Sequence, residues 1–322
     1  MLLNSLAALA LGFALDMLFG DPDIIIYPQK LVAVLIKKLD QAFRHSYKRA
    51  DEAQQMGGVM LVCAVMIIVG GLSAILLVIC YSVNNMLGIL FEGLLCWSSI
   101  SVRGLRTSSE SVMRAVKGEN LSGARKRLSG MTKRDTSDLD MQSVIKATVE
   151  TVAEDASDKV VAPIFWCALF GGAAGFLCRT VNILDNAVGH KNAKYKHFGR
   201  AAAIVDDVLV FIPARICAML MLLDSAILCL SVKKAWDVYC KDKRHSPSPN
   251  AAQTQSVCAG ALELSLGGDY YVRGELVKRG KIGNSERDAT SNDIFWTNQL
   301  MMGSSAMLMF IAAAVRLIIH FV

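Results

Sequence analysis

The sequence predicts an all-α, polytopic integral membrane protein whose apolar helices are joined by large cytoplasmic helical and loop connections. Three observations predict it. Of 322 residues, 53% are hydrophobic and only 19% charged, with a mean hydropathy of +0.41. Residues 57–83, "GGVMLVCAVMIIVGGLSAILLVICYSV", carry no charge, and about 20 apolar residues already span the hydrocarbon core as a helix. The basic residues are concentrated in a few polar connections, as the positive-inside rule expects of cytoplasmic loops. The chain reads as a single membrane-embedded domain, 1–322.

In order, segment 2–19 is apolar apart from Asp16. No basic residue precedes Lys30, so the positive n-region of a signal peptide is missing and the segment is expected to stay attached. Connection 20–56 holds six Lys and Arg, and segment 57–83 spans. The turn after it, Asn84-Asn85, has no charge and belongs outside. Segment 85–102 contains Glu92. Asp16 and Glu92 read either as acids near helix ends reaching the interface or as groups facing a protein interior. Connection 103–159 carries eleven Lys and Arg.

Segment 160–178 contains Pro163, Gly171, Gly172 and Gly175, in the manner of a broken or cavity-lining helix. After the polar connection 179–207 comes segment 208–232, with Pro213, Arg215 and Asp224. Connection 233–302 holds ten Lys and Arg and a turn-rich break, "RHSPSPNAAQ". Segment 303–322 is interrupted only by Arg316. If 103–159 and 233–302 are both cytoplasmic, then 160–178 and 208–232 both cross or both fail to cross. The reading adopted is that both are re-entrant or cavity-lining.

Several function classes are set aside. No Walker-type loop and no G-x-G-x-x-G after a strand occurs. The nine cysteines stand singly and the five histidines form no H-x-x-x-H pair, so neither a zinc site nor a disulfide framework is signalled. Acids alternate with the basic residues, which argues against nucleic acid. No inverted repeat of the transporter kind is visible.

The candidate chemistry centres on "VETVAEDASDKVV". At about 100° per residue, Glu150, Glu154 and Asp158 share one helix face, with Asp155 at its edge. Ile145, Val149, Val152 and Ala156 take the opposite face, and residues 136–140, "TSDLD", supply capping groups. The acidic face is either solvated or functional. Its like charges call for an offset from Arg and Lys or from Mg²⁺. Asp206-Asp207 form a second acidic pair, with a helix-start role as the alternative. Arg179, Lys191, Lys194, Lys196, Arg200 and Arg215 supply positive charge, as phosphate clamps or as interface anchors. Gly267-Gly268 can cradle an anion or simply turn the chain. Acids beside arginines are the general layout of a phosphoryl-transfer site.

The ordered motifs "LDMLFGDPDIIIYP", "MTKRDTSDLD", "ATVETVAEDASDKVVAPIFWCALFGGAAG", "RTVNILDNAVGHKN", "FGRAAAIVDDVLVFIPAR", "SPSPNAA" and "LGGDYYVRG" resemble the adenosylcobinamide-phosphate synthase family of cobalamin (vitamin B12) biosynthesis. The resemblance runs from about residue 12 to about residue 290. It implies an ATP-dependent ligase joining the carboxylate of adenosylcobyric acid to the amine of (R)-1-amino-2-propanol O-phosphate. It further implies Mg²⁺, a corrinoid substrate, a cell-membrane location with the site facing the cytoplasm, and other pathway enzymes as partners. The matching positions are Asp21 and Pro22; Asp135 and Thr136; Glu150, Glu154 and Asp158; Arg179, Asn182 and Asp185; Lys191 and Asn192. They continue through Asp206, Asp207, Pro213 and Arg215 to Pro249, Asn250, Gly267, Gly268 and Tyr271.

By this resemblance Glu150, Glu154 and Asp158 are expected to hold metal and phosphate, and Arg179 and Arg215 to clamp phosphate or carboxylate. The sequence departs from the family pattern at Tyr27, Asp155, Lys159, His190, Ser246 and Ala252. The extra charges at 155 and 159, four residues apart, are expected to pair. The departures leave open which amino-alcohol phosphate is used. The alternative function is a corrinoid-binding carrier without ligase activity, which would favour ionisable residues deep in the spans. A structural subunit recruiting other enzymes is the third reading.

Overall fold

The computed structural model describes residues 2–22, 27–47, 51–189 and 195–321, and its regular structure there is helical apart from four short strands. The chain begins with α1 (Leu2–Phe19), α2 (Pro28–Ser46), α3 (Asp51–Val83) and α4 (Asn85–Trp97). Next come α5 (Val102–Lys117), α6 (Leu121–Leu128) and α7 (Met141–Asp155), which runs through a π-helical turn, Ala156–Val161, into α8 (Ala162–Phe170). They are followed by α9 (Gly172–Val188), α10 (Arg200–Ile227), α11 (Val232–Asp242) and α12 (Ala251–Ala261). The strands β1 (Leu266–Gly267), β2 (Tyr270–Val272), β3 (Glu275–Val277) and β4 (Lys281–Ile282) precede α13 (Ser291–Phe321). Long enough and apolar enough to cross a membrane are α3, α10, α13 and the stretch Asn85–Lys117, counted through the short break between α4 and α5. The all-α membrane fold is therefore as the composition predicts.

The chain forms two compact units. The first comprises Met1–Ser101, Ala162–Val210 and Met309–Val322, the second Val102–Val161 and Phe211–Leu308. In the first, α2, α3, α4 and α9 pack around Val32, Ile36, Leu61, Val65, Leu95, Phe176 and Leu184. The other side of α3 leaves Ile67, Ile75 and Val78 bare, an apolar surface suited to lipid. Helices α1 and α4 touch through small residues, and a Cβ on Gly12 would lie 2.4 Å from the Cβ of Cys96.

Segment 160–178 is not one helix. It breaks at Gly171, whose φ of +88° only glycine adopts without strain. A break in an apolar region frees backbone groups that lipid cannot satisfy. Two charged side chains meet that demand. Arg316 donates from Nε to the carbonyl of Ala168 (2.8 Å) and from Nη2 to that of Cys167 (3.1 Å), which finishes α8. Glu92 accepts the amide of Gly172 at 3.0 Å, which starts α9, and takes further bonds from Ser5 (2.6 Å) and Tyr81 (2.5 Å). Glu92 is 4% exposed, and Asp16 is fully buried. Neither acid reaches out to an interface.

Segment 208–232 behaves differently from 160–178. Its larger part lies in α10, a continuous helix of 28 residues. Pro213 inside it cannot donate to the carbonyl four residues earlier. That carbonyl, of Leu209, instead accepts the Trp166 indole at 3.0 Å. Segment 160–178 is thus broken at a glycine, while the helix that carries most of 208–232 is long and apolar enough to cross.

In the second unit, α7 and α12 pack with the strands around Ile145, Val149, Ala252, Ala259, Leu264, Leu266 and Ile282. On the other side of α7, Val144 and Ala147 join Val112, Ala124 and Leu128. Strand β1 pairs antiparallel with β4 (Leu266 opposite Ile282), and β2 with β3 (Tyr271 opposite Leu276). All eleven residues of α12 are buried, and Gly260 lets α11 approach so closely that a Cβ would lie 2.4 Å from the Lys234 carbonyl oxygen.

Candidate functional site

The site grows from α7. Asp140 caps it by accepting the Ser143 amide at 2.7 Å, which fulfils the capping role expected of residues 136–140. Ile145, Val149, Val152 and Ala156 are buried as the helical spacing requires. The acidic face is buried at Glu150 and half-buried at Glu154 and Asp158. Glu150 is 2% exposed, and its carboxylate is surrounded by donors. Oε1 accepts the Gly267 amide at 2.8 Å, while Oε2 accepts Nη1 of Arg279 at 3.0 Å and Nη2 of Arg134.

Gln255 on α12 ties the group together. Its Nε2 donates to the Glu150 carbonyl (3.2 Å) and to Oε2 of Glu154 (3.1 Å), and its Oε1 accepts Nη2 of Arg279. Arg134 stacks over the Tyr270 ring, 4.2 Å from its centre. Arg279 is pinned from behind, since its own amide donates to Asp269 at 2.8 Å.

The electrostatics follow from this packing. Burial pushes the Glu150 carboxyl up, but the guanidiniums of Arg134 and Arg279 and the Gly267 amide bring it below the usual carboxylate range. Glu154 goes the other way: burial and the adjacent Asp155 raise it, against the opposing pull of Arg279, Arg134 and Lys133. Burial works against the charge of Arg134, yet Glu150 raises its pKa overall. Asp155 and Lys159 form the expected pair at 2.7 Å, bridging the end of α7 and the π-helical turn. That turn widens the helical period after Asp155, so the simple i, i+4, i+8 alignment stops before Asp158.

A three-carboxylate metal seat does not emerge. Among the described residues no group of three or more His, Cys, Asp or Glu is arranged to hold a metal ion. Glu150 is committed to two cations and an amide, which leaves it poorly suited as a Mg²⁺ ligand in this arrangement. The donor set expected at Glu150, Glu154 and Asp158 therefore does not fit a metal cage, and the offset to the Glu150 charge comes from arginine.

Residues 9–301 match the family described as CobD/Cbib protein. The chain belongs to the CobD/CbiB family. The cobalamin biosynthesis protein CobD of Clostridium perfringens is 33% identical over 310 residues, covering 96% of this chain and 98% of that protein. CobD of Halalkalibacterium halodurans is 35% identical over 292 residues (89% of each), and CbiB of Salmonella arizonae 32% over 311 residues (96% and 97%). No solved structure matches.

The CobD/CbiB motifs fall into both units. In the second, Asp135 accepts the amides of Arg273 (2.9 Å) and Gly274 (2.7 Å) and so holds the β2–β3 turn. Thr136 donates to the Arg125 carbonyl at 3.2 Å. Asp158 accepts the Ser157 hydroxyl at 2.6 Å. Arg215 lies over the Phe211 ring at 3.4 Å, donates to the Phe211 carbonyl, and reaches Asn250 Oδ1 at 3.4 Å. Its guanidinium is thus already engaged, and among the described residues no hydrogen bond joins it to the Glu150 network. Gly267 and Gly268 have φ of +76° and +88°, and the Gly268 amide donates to the Gly280 carbonyl. Tyr271 is exposed. A separate cavity of about 390 Å³ in this unit is lined by Lys234, Lys241, Asp242 and Glu263, and none of the sequence-selected residues lines it.

In the first unit, Arg179 is 7% exposed and donates to Asn182 (3.0 Å) and Gln29 (3.3 Å). Asp21 accepts Tyr27 at 3.1 Å and Ser101. Tyr27 is pushed well up by burial and by Asp21. Asp185 lies near the end of α9. Asp206 and Asp207 stand in the second turn of α10, past the first turn where a helix-start role would place them. Lys191 and Asn192 lie outside the described residues. Sequence reasoning missed Arg134, Gln255, Tyr270 and Arg279. Arg134 was nonetheless inside the motif "MTKRDTSDLD", and the demand of a buried Glu150 for cations is the signal that finds it.

Proposed function

We propose that this chain acts in cobalamin biosynthesis as an ATP-dependent amide ligase. It would join adenosylcobyric acid to (R)-1-amino-2-propanol O-phosphate, giving adenosylcobinamide phosphate, ADP and inorganic phosphate. The observation that carries the reading is the membership in a family whose curated relatives are named cobalamin biosynthesis proteins, over nearly the whole chain. Beside it stands the buried Arg134–Glu150–Arg279 network in a unit rich in polar connections.

The chemistry asks for little beyond what this chain supplies. A carboxylate attacks the terminal phosphorus of ATP, ADP departs, and the resulting acyl phosphate is taken by the amine with loss of phosphate. Each step concentrates negative charge on phosphoryl oxygens, which fixed guanidiniums stabilise best away from bulk water. The amine must lose a proton before it attacks. Burial and the adjacent Asp155 raise the Glu154 carboxyl above its ordinary value, the direction wanted in a group that exchanges protons there. Mg²⁺ enters this reading only as the counter-ion that ATP carries. The basic connections favour a site on the cytoplasmic face of the cell membrane, within reach of other pathway enzymes.

The test is turnover by purified protein in lipid, supplied with Mg-ATP, adenosylcobyric acid and the amine phosphate. Amide product with stoichiometric ADP, requiring all three, is the expected result. Corrinoid binding without product would establish the carrier instead.

A further inference from the structure

We infer that Arg134 and Arg279, mounted on the buried Glu150 carboxylate, form a seat for a phosphate group of a substrate. The inference inverts the role expected of the acidic face, which becomes the support of an anion site. It rests on the ligase reading only for its choice of phosphate-bearing ligands.

Four observations support it. Two guanidiniums converge on a single oxygen, Oε2 of Glu150, so one carboxylate serves two cations. Arg134 meets that carboxylate through Nη2, and its side chain keeps 14% exposure. Arg279 is 3% exposed at its side chain, and its Nε is buried without a hydrogen-bond partner among the described residues. A buried donor of this kind is normally paired, and its lack of a partner points to a ligand atom. Lastly, Gly268 has φ of +88° with nothing within 4 Å of where a Cβ would stand. Directly beyond the Gly267 amide that holds Glu150, a backbone without a side chain lets a ligand come close.

The chemistry favours phosphate. Arginine's planar fork matches phosphate oxygens, and the stacking on Tyr270 fixes the plane of Arg134. One carboxylate leaves the two cations with a net charge of +1, which an anionic phosphate oxygen offsets. The phosphate could come from ATP or from the amino-alcohol phosphate, since both carry the same group.

The experiment is calorimetric binding of inorganic pyrophosphate, ATP and aminopropanol phosphate to the full chain in lipid nanodiscs. Arg134→Gln and Arg279→Gln each leave a one-to-one pair with Glu150, so the fold should persist, as circular dichroism will check. Arg279→Lys keeps charge while removing the fork, and serves if a Gln variant unfolds. Pyrophosphate binding should weaken about 10- to 100-fold in the Gln variants, the weight of one charge-assisted hydrogen bond. Weakening of ATP alone would assign the seat to the nucleotide, and weakening of the amine phosphate alone to the acceptor. Failure of all three to bind wild type, or binding unchanged in folded variants, overturns the inference. Product formation with unchanged phosphate binding would refute the seat and spare the ligase. Lost pyrophosphate binding with no product from wild type would refute the ligase and spare the seat.

Discussion

Replacing Glu150 by Gln separates an anchor for cations from a ligand for metal. The carboxylate, 3% exposed at its side chain, faces Arg279 (3%) and Arg134 (14%), so solvent screens these pairs little. Removing one member of a buried ionic group leaves the others uncompensated and costs about 3–5 kcal/mol. Gln retains an oxygen for the Gly267 amide, which keeps one bond of about 1 kcal/mol and places the expected loss near the lower end, about 3 kcal/mol. Denaturant titration in detergent reads this directly.

The pH dependence supplies a second signature. Because the folded-state pKa of Glu150 lies below its ordinary value, its stabilisation is fully present above the unfolded value of about 4.3 and is lost as pH falls through the lower folded value. Glu150→Gln should lack that acid limb. A variant as stable as wild type, but no longer stabilised by added Mg²⁺, would refute the anchor and restore the metal reading.

Three further perturbations test neighbouring claims. Glu154→Gln should abolish turnover without lowering stability at neutral pH. Its raised pKa means the ionised form costs folding free energy as pH rises above about 4.3, so the variant's stability should fall less than wild type's between pH 4 and 7. Trp166→Phe removes the donor to the Leu209 carbonyl, freed by Pro213, and should cost about 1–2 kcal/mol in thermal unfolding. Gly171→Ala forces a left-handed residue and sets a Cβ 2.8 Å from Glu92 Oε1; a loss of about 1–3 kcal/mol is expected, and a neutral result would mean the break is not fixed there.

The helical membrane architecture was legible because hydrophobic length is a one-dimensional property. Residues 57–83 announce α3 whatever surrounds them. The cap at Asp140, the inner face Ile145–Val149–Val152 and the pair Asp155–Lys159 were legible for the same reason, since all lie within one or two turns of each other. The Glu150 network was not. Its donors sit 16, 105, 117 and 129 positions away, at Arg134, Gln255, Gly267 and Arg279, and nothing in the helical wheel says which of many arginines will close on a given acid. Spacing therefore left the offset open between arginine or lysine and Mg²⁺, and folding supplies guanidinium at Glu150. The π-helical turn was equally invisible, and it is what removes Asp158 from the row that the wheel drew.

Two charges set inside apolar segments bear on the choice between ligase and carrier. A carrier would use ionisable groups deep in its spans as part of a path for its cargo. Glu92 and Arg316 look like such groups in the sequence, yet Glu92 spends its carboxylate on Gly172, Ser5 and Tyr81, and Arg316 its guanidinium on the last carbonyls of α8. Both complete the backbone of one broken helix, a demand that the hydrocarbon environment itself creates. The charge that folding concentrates on a single point lies instead on α7 and the strands beyond α12, where two arginines share one buried carboxylate. Such an arrangement stabilises charge that develops at a fixed place, which is what phosphoryl chemistry requires and what passage of a bulky corrinoid does not.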